Sequence, residues 1–491
     1  MIWNCFSRRG LMKWDVNRFL IAHLSTLSPS LSRFFALSLK SQQICWQALT
    51  FKFHMLYCQQ YCCQQYCFFT RGGDMMKKKL KQAYGNWVEG DRFWDRESDT
   101  ELLIEKLDEG AHILLVAQRR MGKTSLMKEI KRQLNERYTC LFLDLQKASS
   151  AEDAIVELSL VLKPYTSLWS KTKDLFSNVL NKFSESIEEV NLGEVGIKLR
   201  AGLTSANWAE KGDSLFSILA DSELPVLLLI DEVPLMVNRM LKGEDFRITQ
   251  ERKAKVDEFM SWLRKNSLEH QGKIRMVLSG SIGFEPILRQ AGLSATINNF
   301  QPFDLKPWDE KTAIECLQAL AAEYGIQFEN DAEAAMVRRL GCCIPHHVQM
   351  FFTHVYDRCK RRGRMAFFSD EVNDIYENEM LGIRGHSELT HYEERLNLVL
   401  GPEFFTLALE ILTETAVTGC LTHASLSALQ KGYEFKERSV QEASEEILRV
   451  LEHDGYIKPG KGGFLFESYL LQGWWQKRHG FTHVPVLERG I

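Results

Sequence analysis

Short apolar runs alternate with amphipathic stretches through the first two thirds of the chain body. The first run is followed by Leu126, Ile130 and Leu134, which recur at i, i+4 and i+8 and therefore mark one face of a helix. Alternating strands and helices predict a parallel α/β sheet built from right-handed crossovers. The runs with the length of strands are 112–117, 139–146, 224–231 and 274–281.

The segment between the second and third runs is harder to assign. Residues 151–162 have a helical pattern, and a polar insertion follows at 164–215. Its first part is predicted to be helical, because Leu175, Val179, Leu180 and Phe183 are spaced for one face. Its later part, 191–203, contains glycine and alternating residues, which favour a β-hairpin.

After residue 305 the pattern predicts helices in place of strands. Helices are expected at 312–325, 345–362, 403–412, 424–432 and 439–455. A hairpin is expected at 456–475, around a Pro-Gly-Lys-Gly-Gly turn. Three helices and a hairpin are typical of a winged helix. The predicted domains are a P-loop domain at 75–305, a helical lid at 306–385 and a winged helix at 386–491.

Composition places the chain among water-soluble globular proteins, because 45% of its 491 residues are hydrophobic and 25% are charged. The net charge of −3 conceals an asymmetry. Residues 1–74 carry eight Lys/Arg and two Asp/Glu, so the remainder is mildly acidic and has no overall nucleic-acid footprint. No apolar run is long enough for a membrane span. We therefore expect a cytoplasmic protein with reduced thiols.

Residues 1–74 differ from the rest of the chain and hold six of the twelve Cys. A metal site is one open interpretation, because Cys58, Cys62, Cys63 and Cys67 lie close together. Their spacing, however, fits no CxxC pair. A transit peptide is another, since Ser and Arg are frequent and acids are rare. The interpretation we favour is a non-native or disordered extension, with Met75 or Met76 as the natural start.

Residues 117–124 have most of a phosphate-binding loop, which requires Gly, four residues, then Gly-Lys-Ser/Thr. Gly122, Lys123 and Thr124 match, whereas Ala117 replaces the first Gly. Gly122 would let the backbone approach a phosphate, Lys123 would reach the β- and γ-phosphates, and Thr124 would hold Mg²⁺. The alternative is a chance match at a helix start. The predicted nucleotide-binding residues are Ala117, Gln118, Arg119, Arg120, Met121, Gly122, Lys123, Thr124 and Ser125.

Two further strand ends support a nucleotide site over a chance match. The uniformly apolar run at 224–231 predicts a strand buried on both faces, and it ends in Asp231-Glu232. Asp231 would complete the Mg²⁺ shell with Thr124, and Glu232 would act as general base on the attacking water. Ser281 follows the next strand and would sense the γ-phosphate. Ligands of parallel sheets bind where such carboxyl ends meet.

These residues identify a family that the chain resembles from about 84 to 480. It is similar to the archaeal-type ATPases, an AAA+/STAND-like branch of P-loop proteins with a C-terminal winged helix. The likeness of 93–99 is to the family's Phe-x-Gly-Arg-Glu box near the adenine, with Asp95 in place of Gly. The other matching segments are 119-RRMGKTSL-126, 229-LIDEV-233, 278-LSGSIG-283 and 466-FESYLLQGWW-475.

The resemblance implies an ATP-dependent molecular switch. It also implies that a Gly-x-Pro element in the lid touches the base, which points to Pro345, although Cys343 stands where the Gly would be. No arginine finger is evident. Arg289 lies after the strand that ends near Ser281, where an arginine finger could be placed. A solvated helix residue is the simpler interpretation of Arg289. The expected ligands are ATP and Mg²⁺.

DNA readout is disfavoured by the helix that would enter the major groove. Residues 439–455 carry Glu442, Glu445, Glu446 and Glu452 against Arg449, and these carboxylates would repel phosphates. We expect an unidentified protein partner, and a homo-oligomer remains open. An ATPase that drives a conformational cycle competes with a nucleotide-gated binding module that hydrolyses little. A nucleic-acid adaptor with an idle site is the third hypothesis.

Overall fold

The computed structural model describes residues 79–489 except 84, 86, 181–191 and 437. The expectations for residues 1–74, including their cysteine cluster and the start at Met75 or Met76, lie outside the described residues. Phe183 of the insertion also lies outside them. The described residues form one compact unit.

A five-stranded parallel sheet organises the first half of this unit, with the strand order β2-β3-β4-β1-β5. The predicted strands are confirmed, and a fifth strand follows them. Their bounds are β1 His112–Val116, β2 Thr139–Asp144, β3 Val226–Asp231, β4 Ile274–Ser279 and β5 Phe300–Asp304.

Ten helices accompany the described part of this sheet region. The predicted helix face at Leu126, Ile130 and Leu134 is confirmed, because all three residues are buried. The helices are α1 Glu97–Asp108, α2 Lys123–Leu134, α3 Ala151–Leu160, α4 Thr166–Leu175, α5 Ser177–Leu180, α6 Leu192–Ala201, α7 Trp208–Ala220, α8 Val233–Lys242, α9 Gln250–Glu269 and α10 Phe284–Ala291.

Both faces of β3 are buried, as its apolar sequence predicted. Successive side chains of a strand point to opposite faces. Accordingly Leu227 and Leu229 belong to one hydrophobic cluster, which also contains the α2 face. Leu228 and Ile230 belong to the other cluster, with Ile155. This interior strand is thus held from both sides, and its polar end at Asp231 is fixed in position.

The predicted hairpin at 191–203 is wrong, because Leu192–Ala201 is the helix α6. Val195 and Leu199 are spaced at i and i+4, and both are buried. A Cβ placed on Gly196 would lie 3.4 Å from the Leu160 side chain of α3, so this glycine faces a neighbouring helix. The glycines that suggested a turn are compatible with a helix because burial of one face compensates for their low propensity.

The region 306–385 is mainly helical, as predicted, but two short strands also occur there. Strands β6 Gln327–Glu329 and β7 Ala366–Phe368 pair in parallel. Three-residue strands are too short to show a periodic pattern, so the expectation that strands stop after 305 is wrong here. The helices are α11 Glu310–Tyr324, α12 Ala332–Leu340, α13 Pro345–Arg362 and α14 Val372–Ile375, followed by a π-helix at Tyr376–Met380.

The last part of the chain contains four helices and three short strands. The three strands form a sheet of order β8-β10-β9. The hairpin prediction holds for β9 and β10, which pair antiparallel, but 469–475 belongs to a helix. The bounds are α15 Ile383–Thr418, β8 Leu421–Thr422, α16 His423–Gln430, α17 Val440–His453, β9 Ile457–Gly460, β10 Gly463–Phe466 and α18 Tyr469–His479.

The winged-helix interpretation and the domain bounds stay predictions. The domain boundary predicted between residues 385 and 386 falls near the start of α15, which begins at Ile383. This helix is kinked at Gly401, where φ is 77°. Pro402 follows directly.

One stretch, Gly385–Thr418, is long and apolar enough by length and composition to cross a membrane. Its most apolar window is 50% buried inside the protein, as in the core helix of many water-soluble proteins. The kink at Gly401 also interrupts it. The expectation of no membrane span therefore stays a prediction.

We predict opposite effects for two glycine-to-alanine substitutions in helices. A Cβ on Gly212 would lie 2.4 Å from the Trp262 ring, so Gly212→Ala should destabilise the protein by about 1–3 kcal/mol through overpacking. Gly196→Ala has room, and it should be neutral or stabilising by up to about 1 kcal/mol, because glycine is a poor helix former. Urea unfolding of both variants checks this. Strong destabilisation by Gly196→Ala would contradict the helix at α6.

Candidate functional site

A cleft of about 380 Å³ opens at the carboxyl ends of β1, β3 and β4. Seven of the nine predicted nucleotide-binding residues of the loop line it, together with Asp231, Glu232, Ser281 and Pro345. Ala117 and Gln118 are not among its lining residues. The cleft is lined by Ala83, Gly85, Trp87, Val88, Arg119, Arg120, Met121, Gly122, Lys123, Thr124, Ser125, Gln146, Asp231, Glu232, Ser281, Pro345, His346, Gln349 and Arg395.

The loop between β1 and α2 ends at Gly122, the N-cap of α2. Gly122 has φ 93°, a left-handed conformation that glycine adopts without strain. No atom lies within 4 Å of a Cβ built there, so the backbone faces open space. The first N–H groups of α2 lack helical partners, and the helix dipole adds positive potential, so this end suits an anion. Ala117 has no positive φ, which explains why alanine can replace glycine there.

Lys123 is buried, with 8% of its surface exposed. Its Nζ donates to the carbonyl oxygens of Ala117 (2.7 Å) and Gln118 (2.9 Å). Burial lowers the pKa of Lys123, while Asp231 and Glu232 oppose that shift. The ammonium is thus held by its own loop, and a phosphate would have to exchange with these two carbonyl oxygens.

Thr124 and Asp231 are adjacent, as the metal prediction requires. The Thr124 hydroxyl donates to Oδ2 of Asp231 at 2.6 Å, although 107 positions separate them in sequence. Hydroxyl and carboxylate oxygens suit Mg²⁺, which commonly takes one or two protein ligands and completes its shell with water and phosphate. No cluster of three or more His, Cys, Asp or Glu suited to a metal occurs among the described residues. The donor set at Thr124 and Asp231 therefore fits Mg²⁺.

Glu232 directly follows β3 in a left-handed conformation, with φ 62°. Such backbone strain in a non-glycine residue is often found at functional sites. Its Oε2 accepts hydrogen bonds from the N–H (3.0 Å) and the hydroxyl (2.9 Å) of Ser281. Ser281, predicted to sense a γ-phosphate, thus positions the predicted general base in this structure. The two loops after β3 and β4 are joined at that point.

The segment before α1 supports the loop from the other side. Arg96 is buried, and its guanidinium donates to the Met121 carbonyl at 3.3 Å. The hydroxyl of Ser125, a predicted ligand residue, accepts from the N–H of Val88 at 3.0 Å and so holds this segment. Asp95 has φ 56°, which explains why the family that the sequence resembles has glycine there.

Helix α13 contributes the opposite wall of the cleft. Pro345 is its first residue, where a missing N–H costs nothing. His346 and Gln349 extend the wall by one turn, and Gln349 Oε1 accepts from the Ala83 N–H at 3.0 Å. Pro345 therefore lies on the cleft wall that contacts the segment at Ala83, and its predicted role beside the base stays a prediction.

The C-terminal part of the chain reaches both phosphate-side loops. Asp454 Oδ1 accepts from the N–H of Gly283, two residues beyond Ser281, at 2.9 Å. Gly455 has φ 76°, and a Cβ built there would lie 2.0 Å from the Gln118 side chain. Only glycine therefore allows this approach to the loop. Arg395 of α15 lines the cleft as well.

Arg395 is a cleft residue that sequence reasoning missed, whereas Arg289 agrees with the simpler interpretation. Arg289 pairs with Glu285 on its own helix at 2.6 Å and does not line the cleft. Arg395 lines the cleft but follows Pro345 by 50 residues and belongs to no motif. Its only sequence signal was a positive charge on an amphipathic helix, which is common on solvated surfaces.

Comparison with known proteins shows the fold. No protein-family model matches the sequence, and a search of curated proteins finds no significant relative. Among solved structures, the Walker-type ATPase PABY2304 of Pyrococcus abyssi is 18% identical, with a TM-score of 0.52 over 82% of this chain and 99% of that one. The two share a fold, and at this identity the likeness shows no more.

Two other solved structures are similar at lower scores. The Aeropyrum pernix ORC2 protein is 12% identical, with a TM-score of 0.44 over 80% of this chain and 98% of that one. The Thermotoga maritima RuvB branch migration motor is 15% identical, with a TM-score of 0.38 over 77% and 93%. The chain has an α/β fold with a five-stranded parallel sheet and a C-terminal helical region, and this fold is similar to that of the Walker-type ATPase PABY2304.

We predict a pH-dependent stability term at the C-terminal contact with the cleft. Burial opposes protonation of His453, but its hydrogen bond to Asp454 and the charge of Glu285 raise its pKa above 6.5; Lys123 opposes that rise. A raised histidine pKa stabilises the fold below pH 6.5, and this contribution is lost as pH rises through the raised value. Replacing His453 should therefore reduce stability at low pH more than at high pH.

The measurement is the urea midpoint of wild type and His453→Gln at pH 6 and pH 9. The difference between the two proteins should be larger at pH 6. An equal difference at both pH values would contradict a protonated His453–Asp454 pair.

Proposed function

We propose that this protein binds ATP with Mg²⁺ and hydrolyses it, and that the nucleotide cycle serves as a molecular switch or drives remodelling. The observation that carries the proposal is the convergence of Lys123, Thr124, Asp231, Glu232 and Ser281 on one cleft. These residues come from three separate strand ends. A chance Gly-Lys-Thr at a helix start predicts no such convergence.

Each side chain has a role that its position supports. The N-terminal N–H groups of α2 and Lys123 bind the phosphates, with Lys123 exchanging its two loop carbonyls for phosphate oxygens. Thr124 and Asp231 hold the Mg²⁺, which when bound neutralises charge on the β- and γ-phosphates. Glu232 accepts a proton from the attacking water. Ser281 orients Glu232 through its two hydrogen bonds.

A nucleotide-gated binding module with little hydrolysis is the alternative function. One observation favours it: the Glu232 Oε2 oxygen accepts two hydrogen bonds from Ser281, which occupy acceptor sites that an attacking water would need. In this alternative, Thr124 and Asp231 hold metal for binding alone. The two functions differ in turnover and share the nucleotide site.

We further propose a cytoplasmic protein with a protein partner, and a homo-oligomer is compatible with the fold. The C-terminal elements α16, α17 and β8–β10 would form a winged helix. Helix α17 lies against α10 of the sheet region, with Glu442, Glu445 and Arg289 lining one groove between them. This position and the acidic surface both argue against insertion of α17 into a DNA major groove.

Loss of Lys123 tests nucleotide binding. Lys123→Ala removes the charge placed between the β- and γ-phosphates, so ATP affinity measured by calorimetry should fall strongly. Lys131→Ala, about two turns further along α2 and outside the cleft, is the matched control and should bind ATP like wild type. Equal affinity of Lys123→Ala and wild type would show that the loop is a relic.

Turnover separates the two proposed functions. Glu232→Gln keeps the shape of the side chain but cannot accept the proton, so Mg-ATP binding should persist while turnover falls about 10²–10⁴-fold. Ser281→Ala should reduce turnover less, because the Ser281 N–H still bonds Glu232. Steady-state assays of the full chain, alone and with lysate or DNA, measure both. If wild type shows no turnover above background, and Glu232→Gln changes nothing, the binding module is the better account.

A further inference from the structure

Helix α15 is broken at Gly401 and Pro402, and the break leaves backbone carbonyls in need of donors. In a continuous helix, each carbonyl accepts a hydrogen bond from the N–H four residues later. Pro402 has no N–H, so the carbonyl of Leu398 has no such donor. Gly401 has φ 77° and ψ 167°, which turns the chain out of the helix at this point. The end of the first part of α15 therefore depends on donors from elsewhere.

Two side chains of α8 supply these donors. Asn238 Nδ2 donates to the Leu398 carbonyl at 3.1 Å, and Lys242 Nζ donates to the Val399 carbonyl. Asn238 and Lys242 are four residues apart, so they lie on one face of α8. Both are buried, and a buried polar side chain costs stability unless it is hydrogen-bonded. The bonds to α15 thus account for the two polar residues in the buried part of α8.

The loop after α8 closes on the same break. A Cβ built on Gly401 would lie 3.1 Å from the Phe246 side chain. Phe246 has φ 56°, a conformation that costs energy in a residue with a side chain and persists where the surroundings enforce it. The Lys242 carbonyl accepts a hydrogen bond from Arg252 of α9 at 2.8 Å. The far end of α8 is thus held by α9, by its own loop and by α15.

The near end of α8 is the candidate general base. Glu232 is the N-cap of α8, and its φ of 62° is also a strained conformation that the surroundings must enforce. Pro234 in the first turn contacts the loop after β4, because a Cβ on Gly280 would lie 2.5 Å from its ring. Eight of the ten residues of α8 are buried. A closely packed helix of this length spans about 15 Å and transmits displacement along its axis, so a shift at Lys242 reaches Glu232.

We propose that Asn238 and Lys242 are positioning residues for the hydrolytic step. By bonding the break in α15, they hold α8 in the orientation that enforces the Glu232 backbone conformation and keeps its carboxylate on Ser281. Neither residue lines the cleft, so both act through Glu232. The inference rests on the proposed function and adds a requirement outside the nucleotide site, because turnover then depends on the contact between α8 and the break in α15.

The first test separates turnover from binding in the full-length protein. Lys242→Met keeps the apolar stem of the side chain but cannot donate a hydrogen bond. Its Mg-ATP affinity by calorimetry should stay within about twofold of wild type, while kcat should fall about 10–100-fold, because a misplacement of about 1 Å can cost about 10²-fold in rate. Lys242→Arg keeps a cation and donors and should recover part of the loss. Lys211→Met is the matched control and should match wild type, since Lys211 also donates to a backbone carbonyl, that of Leu175 at 3.0 Å.

A double-mutant cycle shows whether Lys242 acts through Glu232. In the Glu232→Gln background, Lys242→Met should cause no further loss of turnover, because the effects of residues that act as a unit are not additive. A full additional loss in that background, or an equal fall in Mg-ATP affinity and kcat, would overturn the inference. Asn238→Ala leaves the Lys242 bond in place and should have a smaller effect of the same kind. It takes the place of Lys242→Met if that variant fails to fold.

Hydrogen exchange of the Ser281 amide reports on the Glu232 carboxylate without nucleotide, because this N–H donates to Oε2 at 3.0 Å. Lys242→Met should speed exchange at Ser281 about tenfold, the effect of losing one local hydrogen bond. The Leu126 amide, which bonds Gly122 in the nucleotide loop, should be unchanged. Unchanged exchange at Ser281 in folded Lys242→Met would contradict the inference. If wild type neither binds nor hydrolyses ATP, the proposed function fails, and the Ser281 amide still decides whether Lys242 holds Glu232 in place.

Discussion

The parallel register of β1, β3 and β4 places three loops at one edge of the sheet, and the candidate site depends on that placement. Asp231 ends β3 and bonds Thr124 at the start of α2, which follows β1. Glu232, the next residue, bonds Ser281 beyond β4. Burial of β3 on both faces holds this strand end in place, because alternate residues belong to two different hydrophobic clusters. A one-residue slip would exchange those faces and turn Asp231 away.

The charges around this edge give the cleft its chemical character. Lys123 is held by two carbonyl oxygens of its own loop, and Glu232 by the backbone and hydroxyl of Ser281. Glu232 is thus positioned before any ligand arrives, which reduces the reorganisation that catalysis would need. Lys123, in contrast, would have to exchange its two carbonyl partners for a phosphate. Nε and NH1 of Arg119 have no hydrogen-bond partner among the described residues. Asp454 and Gly455 of the C-terminal region contact the loops that follow β4 and β1.

Much of the sheet region could be predicted from sequence, because a buried parallel strand is a continuous apolar run and the loop motif is read from a few residues. The polar ends at Thr124, Asp231 and Ser281 followed from those strands. The hairpin predicted at 191–203 was wrong. Local glycines suggested a turn, but a helix forms there because it buries Val195 and Leu199 on one face. Arg395 could not be found, because its position depends on tertiary contacts at Tyr456, Asn238 and Lys242. The burial of Lys123 likewise depends on how the loop packs, which the spacing of residues in the motif does not predict.

A crystal structure of the protein with AMPPNP and Mg²⁺ is the most direct test of the central claim. The account predicts a nucleotide in the cleft, with Lys123 Nζ released from the carbonyls of Ala117 and Gln118 and bonded to the β- and γ-phosphates. Thr124 and Asp231 should face the metal. The account would be contradicted by a nucleotide bound elsewhere, or by a saturated crystal in which Lys123 keeps both carbonyl bonds and the cleft holds no phosphate.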